Sequence, residues 1–300
     1  MKHHAATLIA AAMAWATPAT AGIPVVAPDA ELQLVDDGFK FTEGPAADRH
    51  GNVYFTDQPN DRILKWSAAT GEIATFLEPA GRANGMFFDP AGFLITCADE
   101  NGRLERIDTN TKQRTTLVDN FAGKMLNGPN DVWSRPDGGM YFTDPFYKRE
   151  YWQGRDTPDQ EKERVYFLAN GAADPVAVED RLEKPNGIIG TPDGKHLYIA
   201  DIGGGKTWQY QINEDGTLAG RKLFCELGSD GMTLDSAGNL YLTGRGVTVF
   251  APDGSKLGHI PVPRNWTANV TFAGPDGKTL FITAMDAVFT LEMSVTGADR

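Results

Sequence analysis

The sequence predicts an all-β fold, a six-bladed β-propeller, and three observations carry that expectation. A polar turn that ends in glycine and runs into an apolar strand occurs six times, at a nearly constant interval. Eight residues before each of those glycines stands an acidic or amide side chain. Gly (33) and Pro (18) are frequent enough for many turns between short strands, without approaching low complexity.

The repeated pieces are ADRHGNVYFTD (47–57), FDPAGFLITCAD (88–99), RPDGGMYFTD (135–144), TPDGKHLYIAD (191–201), LDSAGNLYLTG (234–244) and GPDGKTLFITA (274–284). Their turn glycines, Gly51, Gly92, Gly138, Gly194, Gly238 and Gly277, are separated by 41, 46, 56, 44 and 39 residues. Glycine takes positive φ without steric cost, so such a turn between β-rich runs is hairpin chemistry. Further short strands lie between the turns, among them RILKWS (62–67), EIATFL (72–77), LERIDT (104–109) and TWQYQIN (207–213). Each unit thus holds about four strands, the content of a propeller blade. Six units fill nearly the whole chain, which a sandwich or jelly roll would not require.

Taken in order, residues 1–21 read as a cleaved signal peptide: Lys2, an apolar run from Ala5 to Trp15, and a small-x-small ending at Ala19, Thr20 and Ala21. The run is too short for the roughly 20 residues of a membrane span. Cleavage after Ala21 implies a periplasmic or secreted protein. Residues 22–30 are expected as an N-terminal tail, 31–293 as the propeller and 294–300 as a C-terminal tail. The strand ELQLV (31–35) is expected to close the ring against AVFTLEM (287–293), covering a sheet edge.

Composition narrows the partners. A formal charge of −12, from 40 acidic and 28 basic residues, argues against a nucleic-acid binder, which needs a basic face. No membrane partner is indicated. Cys97 and Cys225 read as buried small hydrophobes, since two cysteines 128 positions apart make neither a disulfide scaffold nor a zinc cluster. Beyond the signal peptide only His50, His196 and His259 remain, and no GxSxG elbow occurs, so a Ser-His triad is not expected.

The polar column comprises Glu43, Asn84, Asn130, Asn186, Asp230 and Asn269. With Asp, Glu and Asn at roughly one residue in six, six together by chance are rarer than one in ten thousand. The first strand of each blade lines the central channel, so these residues should converge at one channel mouth. Strand-entry turn residues would account for any single Asn. They would not account for Glu43 and Asp230, whose charges repel unless something positive lies between them. All-oxygen ligands suit a hard cation, and unequal carboxylates and carboxamides suit Ca²⁺ better than Mg²⁺.

The second strand of four units ends at Asp57, Asp99, Asp144 or Asp201, read as strand-to-loop caps or as groups overlooking the mouth. The longest interval contains PFYKREYWQGRDTPDQEKER (145–164), with Phe146, Tyr147, Tyr151 and Trp152 beside Lys148, Arg149 and Arg155. It reads either as a lid or as a solvated insertion. Arg82, in GRANG, stands beside the ring position Asn84.

The stretches FTEGPAAD, LNGPNDVWSRPDGGMYFTDPFY, KPNGIIGTPDGKHLYIAD and GSDGMTLDSAGNLYLTG give the sequence its resemblance to a known family. Across about residues 36–292 it resembles gluconolactonase, regucalcin (senescence marker protein) and luciferin-regenerating-enzyme-like proteins. The resemblance implies a six-bladed propeller with a divalent cation, usually calcium, in its channel; zinc, manganese and magnesium stay open. It implies metal ligands at Glu43, Asn186 and Asp230, with Asn130 beside the metal and helping to hold substrate, and Asp230 as catalytic base. Asn84 and Arg82 are expected as further substrate contacts. One departure stands out: Gly128 occupies a position where animal members carry a substrate-contacting Arg, a loss that Arg82 or the lid would have to make good.

The expected activity is metal-assisted hydrolysis of a sugar lactone by a monomer or weak homo-oligomer. Asp144 and Asp201 are reserve bases. The alternatives are a calcium-stabilised binding module without chemistry, or a hydrolase of other esters or organophosphates.

Overall fold

A computed structural model describes residues 22–298. The signal-peptide expectation for 1–21 and the last two residues of the C-terminal tail lie outside the described residues. Among the described residues, no helix is long and apolar enough to cross a membrane.

Six four-stranded antiparallel sheets form the blades of a propeller. Their innermost strands are Thr42–Ala47, Ala83–Phe88, Val132–Ser134, Pro185–Gly190, Met232–Leu234 and Asn269–Ala273. These pack against one another in chain order, and the sixth returns to the first. The strand Gln33–Asp37 pairs with Ala287–Glu292 and completes the sixth blade from the other end of the chain. That closure leaves no gap in the ring.

The repeated turn forms because its glycine is required. All six turn glycines sit at φ between 70° and 87°, where a side chain is strained. In the first turn, Asp48 Oδ1 accepts the N–H groups of His50 (2.8 Å) and Asn52 (3.0 Å), and Gly51 N–H donates to the Asp48 carbonyl (2.9 Å). The second strands that follow are buried along their length, as in Val53–Asp57 and Met140–Asp144. Apolar clusters fill the spaces between blades, with Trp133, Tyr141 and Tyr198 in the largest.

Segments flanking the ring pack onto it. Val25 and Val26 are buried in the cluster of the last two blades, and Val26 bridges Met293. Gly297 bridges Asp235, and Ala298 N–H donates to the Leu234 carbonyl (3.0 Å). Cys97 and Cys225 are free and buried.

Candidate active site

The six polar residues all lie where the inner strands enter the channel. Three of those strands slip register against their neighbours there, between Glu43 and Ala46, Ala83 and Met86, and Pro185 and Ile188. A bulge turns a side chain out of the ladder and into the pore. In the other three blades, threonines of the second strands hold the inner backbone at the same level: Thr143 Oγ1 accepts Asp131 N–H (3.1 Å), Thr243 Oγ1 accepts Gly231 N–H (2.8 Å) and Thr283 Oγ1 accepts Asn269 N–H (3.0 Å).

Contacts run around the mouth without a break. A Cβ on Gly44 would lie 2.0 Å from the Asn84 carbonyl oxygen. Gly85 N–H donates to the Asn130 carbonyl (2.7 Å), and Ile188 N–H to Asp131 Oδ2 (3.4 Å). A Cβ on Gly187 would lie 2.8 Å from the Asp230 carbonyl oxygen, and one on Gly231 1.9 Å from Asn269 Cγ. Asn269 Nδ2 closes the circuit by donating to Glu43 Oε2 (3.1 Å).

Glu43, Asn84, Asn130, Asn186 and Asn269 are buried, whereas Asp230 is half-buried. Burial, then the charges of Asp230 and Asp131, push the Glu43 carboxyl well above the ordinary carboxylate range. Gly44 N–H, which donates to Glu43 Oε2, and Asn269 oppose that rise. Asp131 is raised to about 8, chiefly by burial, against hydrogen bonds from the Val132 and Ile188 backbone. Asp230 is raised to about 6 by burial, opposed by Trp266, Asn186 and the Arg149 charge. Trp266 Nε1 donates to Asp230 Oδ2 at 2.6 Å.

This donor set fits a hard cation. Two buried carboxamide oxygens, Asn84 Oδ1 and Asn186 Oδ1, have no hydrogen-bond partner, an arrangement that ordinarily costs about 1–3 kcal/mol per group. They accompany two carboxylates, Glu43 and Asp230, whose charged forms burial disfavours. Among the described residues no three His, Cys, Asp or Glu side chains form a metal-binding group, so the fitting set is mixed, carboxylates with carboxamides.

The segment after Asp144 folds back over this mouth. Asn186 Nδ2 donates to the Tyr147 hydroxyl (3.1 Å), and Lys184 Nζ to the Phe146 carbonyl (2.8 Å). Asp99 accepts Arg149 Nε (2.8 Å) and the Tyr151 hydroxyl (2.6 Å) at Oδ2, while its carbonyl accepts Trp152 Nε1 (3.2 Å). The segment is packed as a lid.

The family model of the SMP-30/Gluconolactonase/LRE-like region matches residues 41–286, which spans every inner strand and the whole mouth. The chain belongs to this family. It is 30% identical over 296 aligned residues to the gluconolactonase of Zymomonas mobilis subsp. mobilis, covering 89% of this chain and 82% of that one. It is 25% identical to the pentonolactonase XacC of Haloferax volcanii, over 88% and 95% of the two chains. Among solved structures, a gluconolactonase of Xanthomonas campestris superposes with a TM-score of 0.83 at 29% identity, covering 92% of this chain and 93% of that one. Regucalcin of Agrobacterium tumefaciens, at 19% identity and a TM-score of 0.73 over 90% and 96%, shares the fold.

In this SMP-30/gluconolactonase-like chain, Glu43, Asn84, Asn130, Asn186 and Asp230 stand together at the mouth. Arg82 is held to one side: its Nη1 donates to the Pro59 carbonyl and its Cζ lies 4.6 Å from the Tyr151 ring centre. Three rim aspartates serve as caps, Asp57 for the Lys40 and Phe41 N–H groups, Asp144 for Asn127 and Gly128, and Asp201 for Glu183 and Gly204. All three are buried, and both carboxylate oxygens of Asp144 and of Asp201 accept hydrogen bonds from groups around them.

Sequence reasoning missed Asp131 and Trp266. Asp131 stands seven residues before its turn glycine, a position occupied by Gly44, Gly85, Gly187 and Gly231 in four other blades. A single carboxylate in a glycine column was the available signal. Trp266 comes from an inter-blade loop outside the repeat, where no periodic signal exists.

Proposed function

We propose that this protein is a divalent-cation-dependent hydrolase that opens sugar lactones. The observation that carries the reading is the convergence of Glu43, Asn186 and Asp230 at one mouth with unpaired carboxamide oxygens among them. Lactonase names among relatives that align along most of the chain support the substrate class.

Glu43, Asn186 and Asp230 would hold the ion, with Asn130 beside it, and Ca²⁺ suits this irregular oxygen set best. An ion held there would supply Lewis-acid polarisation of a lactone carbonyl. Among the described residues, Glu43 and Asp131 of the mouth are buried, while Asp230 is half-buried. Its Oδ2 accepts Trp266 Nε1, and Asp230 would take the proton from the attacking water. Trp266 and Asn186 fix the orientation of that carboxylate, and a general base works best when held within hydrogen-bond reach of the proton it removes. The lid would shield the site from bulk water. A sugar lactone needs only modest acceleration, so no activated serine or cysteine nucleophile is required.

The test is proton release from glucono-1,5-lactone by purified protein, before and after chelation and with Asp230→Ala. Turnover should fall to the uncatalysed rate on chelation, return with Ca²⁺, and fall at least 100-fold in the variant, the scale of a positioned base. Absence of chelator-sensitive turnover across several sugar lactones would overturn the reading. Export through residues 1–21 is part of the same proposal, and cell fractionation checks it.

A further inference from the structure

In the mouth ring the Asn186 and Asn269 amide groups already donate to Tyr147 and Glu43, and a polyhydroxylated lactone needs further donors. The lid supplies one in an unusual setting. Gly128 lies at φ +156°, and a Cβ there would meet Asp99 Oδ1 at 2.6 Å and Trp152 Cη2 at 3.1 Å. The space a side chain at 128 would fill is taken by the lid's own indole. Three residues earlier, Arg149 is fixed through Nε to Asp99 Oδ2 at 2.8 Å. Its Cζ lies 5.4 Å from the ring centre of Tyr147, whose hydroxyl is bonded to Asn186.

Asp99 is itself built in. It is 1% exposed and also accepts the Tyr151 hydroxyl and Gln58 Nε2 (3.2 Å). Gripped at Nε, Arg149 keeps two terminal nitrogens with no hydrogen-bond partner among the described residues, and its side chain is 23% exposed. A guanidinium held at one edge presents a rigid fork to oxygen pairs. Tyr147, which lies against the guanidinium, bonds the ring residue Asn186, so the fork stands beside the mouth.

We propose that Arg149, delivered by the lid and aimed by Asp99, is the substrate-recognising residue of this mouth, donating from both terminal nitrogens to ring and hydroxyl oxygens of the lactone. Asp99 is then a positioning residue. Gly128 is the vacancy that lets the lid sit low enough to bring Arg149 in. This inference rests on the lactonase reading above.

The test compares Arg149→Ala, Arg149→Lys, Asp99→Asn and Arg155→Ala on glucono-1,5-lactone, with gluconate binding measured by calorimetry. Arg155 pins Trp152 and the Leu126 and Asn127 carbonyls without touching the Asp99–Arg149 pair, so its variant reports lid docking alone. Arg149→Ala should raise KM at least tenfold with kcat within twofold, the signature of lost uniform binding, and weaken gluconate binding by a similar factor. Arg149→Lys should recover part of the loss, Asp99→Asn should raise KM less than Arg149→Ala, and Arg155→Ala, which loosens the lid but keeps the guanidinium at 149, should also raise KM less than Arg149→Ala. An unmoved KM in Arg149→Ala, or an equal rise in Arg155→Ala, would overturn the inference while leaving the lactonase intact. A wild-type protein without turnover would overturn the lactonase reading first and this inference with it.

Discussion

The glycines at the channel mouth offer a perturbation whose cost follows from geometry. Gly231 does not have positive φ, so Gly231→Ala asks only for space. An alanine Cβ would stand 1.9 Å from Asn269 Cγ and 2.0 Å from its Oδ1. Restoring ordinary contact moves that carboxamide by roughly 1.5 Å, more than a packed interior yields without strain. Overpacking of this kind costs about 1–3 kcal/mol. The displaced amide also gives up its bond to Glu43 Oε2 and its acceptance of Val270 N–H, and leaving buried partners unsatisfied adds about 1–3 kcal/mol. Together, about 2–6 kcal/mol corresponds to a Tm lower by about 5–20 °C for a domain of this size. Thermal unfolding followed by circular dichroism measures it. Gly71→Ala is the control: Gly71 has φ +74° and nothing within 4 Å of its Cβ position, so it carries only left-handed strain of about 1–2 kcal/mol. A Gly231→Ala protein no less stable than Gly71→Ala would mean that the mouth is loosely packed and the reasoning wrong.

Two further outcomes follow from the fold. Burial pushes Glu179 up, but hydrogen bonds from Arg181, Tyr210 and the Arg181 backbone outweigh it and hold the carboxyl at about 2; a depressed folded-state value contributes stability above the ordinary range near 4.5 that is lost as pH falls toward 2. Glu179→Gln should therefore lower Tm at pH 7 by an amount that shrinks below pH 4.5 and disappears near pH 2, and a pH-independent difference would contradict the assignment. Deleting residues 22–37 should strip the edge strand from Ala287–Glu292 and expose Val25 and Val26, at about 1.5–3 kcal/mol for each valine, and produce soluble aggregates on size-exclusion chromatography. An unchanged elution and Tm would show that the ring closes without this strand.

The blades were legible in the sequence because their turns need positive φ, which leaves a glycine at a countable position. Glu43, Asn84, Asn130, Asn186, Asp230 and Asn269 were legible for a related reason: a ring of equivalent strand starts repeats its chemistry at one offset. The same logic hid Asp131, since an exception to a glycine column is invisible to a search for shared residue types. Trp266 and the docking of Arg149, Tyr151 and Trp152 on Asp99 were hidden more deeply. They depend on where irregular loops land, and no local propensity encodes that. Residues 22–30 read as a tail because they precede the first strand and are broken by Pro24 and Pro28, yet Val25 and Val26 find an apolar cleft that only the assembled last blades provide.

The division between ring and lid has a physical consequence for how such a site changes substrate. At the ring, glycines leave no room for Cβ atoms and threonine hydroxyls hold the inner backbone, so the donor positions are set before any ligand arrives, the condition under which electrostatic stabilisation needs no reorganisation. Altering one ring residue disturbs its neighbour on the next blade, as the Gly231–Asn269 and Asn269–Glu43 contacts require. The lid has no such constraint: it is held by a handful of side-chain bonds to Asp99, Asn186 and the Leu126 and Asn127 carbonyls. On the proposed reading, bond-breaking chemistry is tied to the blades, whereas recognition of the substrate's outer oxygens rests on a loop whose anchoring bonds lie outside the ladders of the ring. Gly128 marks the junction, because only a residue without a side chain there lets this particular lid reach the mouth.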